Sequence, residues 1–133
     1  MTVTINQQEQ LITIHTKNGN PEVTGFIAEV NKFPVSLFIK PKGKQGVELV
    51  VSDIKTGTAI RNLYINPLEF WMANTKEKTL ELFIDKLEQF KSFMTPEIIE
   101  QIKVKRAAYP EVRKPKQIEN VMEWLEERAN EPK

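Results

Sequence analysis

The chain has no cysteine and one histidine among its 133 residues. The first absence excludes disulfide staples, thiolate metal sites and thiol nucleophiles, and it fits a reducing compartment. The second leaves His15 with no imidazole partner for a metal site and no cysteine to activate, so it is read as an exposed strand residue. Long apolar runs are missing as well. Phe70-Trp71-Met72-Ala73 is among the longest, whereas a membrane span needs roughly 20 apolar residues. The N-terminus MTVTINQQEQ has neither the basic nor the apolar region of a signal peptide. These absences lead to the expectation of a soluble, cytoplasmic protein with no membrane partner. The richness in Lys, Glu, Ile and Asn is a compositional hint of a bacterial or phage source.

Sequence signatures of catalysis are missing too. Ser36, Ser52 and Ser92 lie in no Gly-x-Ser-x-Gly turn. No Asp-x-Asp-x-Asp-Gly loop suggests calcium, and no His-Glu-x-x-His suggests zinc. Lys42-Gly43-Lys44-Gln45-Gly46 and Lys55-Thr56-Gly57-Thr58 combine glycine with lysine but do not match a phosphate-binding loop, and both read as hairpin turns. Asp53 is the best-placed carboxylate for acid–base work, at a strand end beside a turn where Asp is also a routine structural residue. Glu77, Glu81, Asp85 and Glu88 read as a solvated helix face. The expectation is a protein with no catalytic residue, no metal and no cofactor. An enzyme built on Asp53 and dispersed carboxylates is the third reading.

A hydrophobic fraction of 40% and a charged fraction of 28% are those of a globular chain, and the length fits a single domain over 1–133. The pattern changes near Asn66-Pro67, dividing a β-rich part, 1–66, from an α-rich part, 67–133. Before the division, apolar residues alternate: Val3 and Ile5, Ile12 and Ile14, then Phe26, Ala28 and Val30. Val35, Leu37 and Ile39 run into the turn at 41–46, and Val47, Leu49 and Val51 run back, the clearest hairpin in the chain. With Ala59–Ile65 this makes five or six short strands joined as hairpins, an antiparallel sheet that is curved or closed.

After the division, Asn66, Pro67 and Glu69 form a capping-box signature. Leu80, Phe83, Ile84, Leu87, Phe90 and Met94 define one stripe of a helix that starts after Thr75. Thr95-Pro96-Glu97 opens another helix, which stops before Pro110. A last helix carries Ile118, Val121, Met122, Leu125 and Ala129. The expected fold class is α+β, an antiparallel sheet followed by three C-terminal helices packed on or beside it.

Net charge is only +1, but its distribution is dipolar in the last third. Residues 101–116 hold six Lys/Arg against one acid, and residues 117–133 hold two against five. The basic segment supplies Lys103, Lys105, Arg106, Tyr109, Arg113, Lys114 and Lys116 as candidate nucleic-acid contacts. Phe38, Lys40, Lys42 and Lys44 of the hairpin extend that candidate surface, with Phe38 available for base stacking. The competing reading pairs the basic segment internally with Glu119, Glu123 and Glu127. A second surplus is apolar: Leu82 and Phe93 fall off the main helix stripe, Trp124 flanks the last one with Arg128 a turn away, and Phe70-Trp71-Met72 adds more. These are candidate protein contacts, with burial in the core as the alternative. The first functional expectation is a small, non-catalytic regulatory or inhibitory accessory factor that binds a protein partner or itself. A nucleic-acid-binding module that uses 103–116 is the alternative.

Overall fold

A computed structural model describes residues 3–117, and the last helix expected from the sequence lies outside the described residues. The fold is α+β, an antiparallel sheet followed by three helices. The strands are β1 (Val3–Ile5), β2 (Gln10–Thr13), β3 (Glu22–Val30), β4 (Phe33–Pro41), β5 (Val47–Asp53), β6 (Ala59–Ile65) and β7 (Lys116–Gln117). They lie in the order β6-β5-β4-β3-β2-β7, and β1 also joins β3. β1 and β2 do not pair with each other. Both line up along β3, β1 opposite Ala28–Val30 and β2 opposite Glu22–Gly25, with the connection between them stepping out of the ladder.

Alternation sorts the sheet into two faces. Ala28, Val30, Val35, Leu37, Leu49, Val51 and Ile65 form one buried face with Phe83, Leu87 and Phe90 of the long helix α2 (Lys76–Phe90). Ser36, Val50 and Ser52 belong to the other face and are also buried. The sheet curls because Gly25 has no side chain: a Cβ there would stand 2.1 Å from the carbonyl oxygen of Leu37 and 2.8 Å from the Ile12 side chain. The curl brings the end of β2 onto the β5–β6 turn, where the His15 amide donates to the Gly57 carbonyl over 2.9 Å. β3 and β4 are joined through Asn31 and Lys32, both with positive φ (52° and 68°), as a two-residue hairpin turn with right-handed strand twist requires. Without a glycine there, the sequence carries no strong signal for that turn.

The helices begin where their caps predict. Asn66 and Glu69 complete a capping box on α1 (Pro67–Met72), and the Thr75 and Thr95 hydroxyls accept from the amides of Lys78 and Ile98 to start α2 and α3 (Pro96–Ala108). Where the apolar stripe predicts one helix through Met94, α2 ends at Phe90 and tightens into a 3₁₀ turn over Lys91–Phe93. No helix among the described residues is long and apolar enough to cross a membrane.

Candidate functional site

Asp53 is fully buried at the end of β5, and its surroundings are structural. Arg106 of α3 grips both its oxygens, Nη2 to Oδ1 at 2.7 Å and Nε to Oδ2 at 3.0 Å. The Lys55 amide and the Thr56 hydroxyl donate to the same carboxylate. Burial works to raise the Asp53 pKa, but the hydrogen bonds and positive charge of Arg106 outweigh it and hold the carboxyl below its ordinary value. The guanidinium also sits 5.0 Å from the centre of the Phe33 ring. Through Arg106 the Asp53 carboxylate ties α3 to the end of β5.

The rest of the basic segment is partly engaged. Lys103 pairs with Glu100 at 3.6 Å, and Arg113 reaches Glu22 at 3.5 Å. The Tyr109 ring stands edge-on to His15 with centroids 5.1 Å apart, and the Val112 amide donates to the Lys55 carbonyl. The chain then runs into β7, where Lys116 is opposite Leu11 and Gln117 opposite Gln10. Residues 109–117 therefore form a strap from α3 across the β5–β6 turn to β2. Lys105 and Lys114 are exposed. In the hairpin, Lys42 pairs with Glu48 at 3.2 Å, Lys40 is exposed, and Lys44 lies in the turn.

The apolar candidates divide. Leu82 and Phe93 are half-buried and pack against the core cluster, with the Phe93 ring tilted 35° to that of Phe90, centroids 5.6 Å apart, and the Arg61 guanidinium over it at 4.5 Å. Trp124 and Arg128 lie outside the described residues. Among the described residues, four of the seven exposed large hydrophobic residues belong to α1. Trp71 is 78% exposed, Leu68 64% and Met72 62%, with Phe70 beside them, and α1 buries no residue.

Next to α1 is a groove of about 840 Å³. It is lined by Phe26 of β3, Leu37, Phe38 and Ile39 of β4, and Pro67, Phe70 and Trp71 of α1, together with Glu9, Lys76 and Thr79. The groove exists because the β4–β5 turn folds back under α1: Gly46 has φ 106°, and a Cβ there would stand 2.4 Å from the Ile65 carbonyl. The sequence flags Phe38 and Phe70-Trp71-Met72 separately. Strand alternation assigns Phe26 to the core, and nothing local brings these segments together. The usable signal is four large apolar side chains in a helix of six residues, too short to bury them all.

Among the described residues, no cluster of three or more His, Cys, Asp or Glu is arranged to hold a metal ion. No protein-family model, no curated protein and no solved structure matches the chain.

Proposed function

We propose that this is a non-catalytic binding protein whose working surface is the groove between β3–β4 and α1. Its partner is a protein segment with aliphatic or aromatic anchors and a carboxylate beside Lys76. The observation that carries this reading is the exposed apolar surface of α1, where a capping box fixes the helix and presents Leu68, Phe70, Trp71 and Met72 to solvent. Aromatic anchors in a concave, preformed site are where binding free energy concentrates. Lys76 and Glu9 both line the groove, so a partner carboxylate is matched beside Lys76 and opposed beside Glu9.

Selection from a displayed random-peptide library tests the proposal. Enriched peptides are expected to combine apolar anchors with Asp or Glu, and to lose binding to Trp71→Ala. Enrichment indifferent to Trp71→Ala, or none, sinks it.

A second reading is single-stranded nucleic acid. It is favoured by Phe70 and Trp71 sharing the groove with Lys76, the aromatic and cationic combination that stacks bases and holds phosphates. Fluorescence anisotropy of labelled DNA and RNA at about 50 and 200 mM salt separates the two: steep weakening with salt supports nucleic acid. No binding at the lower salt removes it.

A further inference from the structure

We infer that the outer edge of β6 is a second interaction surface, which takes an extended, acidic protein segment as an added strand. This surface is separate from the groove beside α1 and does not depend on it.

The backbone is the first argument. Among the described residues β6 ends the sheet and pairs with β5 alone. In an antiparallel ladder every second residue turns its amide and carbonyl away from its partner, so β6 presents a row of these groups outward. The register with β5 is regular from Arg61, opposite Val51, to Ile65, opposite Val47. A register shift falls between Val51 and Ser52, outside that stretch. β6 has no proline, and Arg61, Asn62 and Tyr64 are exposed. Such an edge accepts another strand, because extended backbone matches its spacing of donors and acceptors.

The side chains beside the edge set the partner's charge. Arg61 and Leu63 are opposite Val51 and Leu49, which places them on the face that α2 covers. There they form a groove of about 630 Å³ with Lys86, Gln89, Ser92 and Phe93. Among the described residues no Asp or Glu lines it. Lys86 is already paired with Glu69 at 3.1 Å. Arg61 lies over the Phe93 ring at 4.5 Å and has no carboxylate partner among the described residues. Beside Ala59 and Ile60, Lys105 of α3 adds another cation. On the other face Glu48 is opposite Tyr64, and Lys42 holds it at 3.2 Å. An incoming strand sends alternate side chains to the α2 side, so Asp or Glu at every second position meets Arg61. A guanidinium binds a carboxylate through paired, charge-assisted hydrogen bonds.

The same charges argue against a second copy in this place. Arg61 is the sole charged residue of Ala59–Ile65. Pairing β6 with β6 therefore brings a cation to a cationic face and supplies no carboxylate. A charged residue in an edge strand blocks unwanted pairing, and here the same charge selects for an acidic strand.

The probe is a blocked synthetic peptide that alternates threonine and glutamate, with a threonine and lysine counterpart as control. Each is titrated into the full chain and followed by amide NMR. The glutamate peptide is expected to shift the β6 signals and to slow exchange at alternate amides of residues 60–64, equally in Trp71→Ala. Arg61→Gln should raise its Kd at least about tenfold. Arg61→Glu should transfer the preference to the lysine peptide. N-methylation of the peptide at either all glutamates or all threonines should abolish binding in one case only, because one set of amides faces β6. Unchanged exchange at β6 with the glutamate peptide overturns the proposal. Equal tolerance of both methylation patterns overturns it too, since the contact is then charge without a strand. Slowed exchange at β6 that grows with protein concentration in the absence of peptide gives the edge to a second copy and overturns the acidic partner.

Discussion

The carboxylate of Asp53 and the guanidinium of Arg106, 53 residues apart in sequence, meet in a two-oxygen ion pair with a closest approach of 2.7 Å. Asp53 has no exposed surface and the Arg106 side chain is 21% exposed, so the pair is largely withdrawn from water. Removing one partner from such a pair costs about 3–5 kcal/mol, because the other charge is left unpaired. Asp53→Leu and Arg106→Met should each lower the unfolding free energy measured in urea by that order. The double change Asp53→Leu with Arg106→Met should recover much of it. Additive losses in this double-mutant cycle would show that the two residues act independently.

The same pair sets a pH dependence. The folded-state pKa of Asp53 is depressed, so its stabilisation is present above the unfolded carboxyl value of about 3.9. It is lost as pH falls below that value towards the folded pKa. Thermal unfolding followed from pH 6 to pH 2 should show a fall in Tm below about pH 4 that is smaller in Asp53→Asn. Equal acid slopes in the two proteins would count against the linkage.

Much of the fold is legible in the residues, and the illegible parts have a common cause. Alternation in Val35–Ile39 and Val47–Val51 marks the central hairpin, and Asn66, Thr75 and Thr95 mark three helix starts, because period and capping are local. The Asp53–Arg106 tie, the strap through Val112 and the shared pairing of β1 and β2 on β3 depend on residues distant in sequence. Pro110 and Pro115 forecast an interruption of helix but not the strand edge that receives the chain. The groove is illegible for the same reason. Phe38 and Trp71 stand out singly as a strand aromatic and a surplus indole, and only the curl at Gly25 and the turn at Gly46 bring their surroundings together.

Gly57 closes the curled sheet and should be intolerant of substitution. Its φ is +71°, and a Cβ would meet the His15 nitrogen and the Thr13 oxygen at 2.8 Å. An L-residue in left-handed backbone costs about 1–2 kcal/mol before any steric displacement. Overpacking adds a typical 1–3 kcal/mol. Gly57→Ala is therefore expected to destabilise by about 2–5 kcal/mol. Amide exchange at His15, whose hydrogen bond goes to Gly57, should accelerate more than exchange at Leu49 in the centre of β5. Uniform acceleration would mean that closure of β2 on the turn is not a separate event.

On α1, stability and binding should come apart. Asn66 accepts from the Glu69 amide at 2.8 Å, and Glu69 returns a bond to the Asn66 amide. Losing this cap through Asn66→Ala should cost about 1 kcal/mol. It should also weaken binding of a selected peptide, because a frayed α1 no longer presents its anchors in place. Trp71→Ala makes the opposite trade. An indole 78% exposed contributes little to the fold, so the change in stability should stay within about 0.5 kcal/mol. If Trp71 anchors the partner, its loss should cost at least about 2 kcal/mol of binding, roughly a 30-fold rise in Kd. Chemical denaturation and peptide titration of both variants, run side by side, measure the two effects. Loss of stability in Trp71→Ala with unchanged peptide affinity would make α1 a structural cover, and the groove behind it would lose its claim as a working surface.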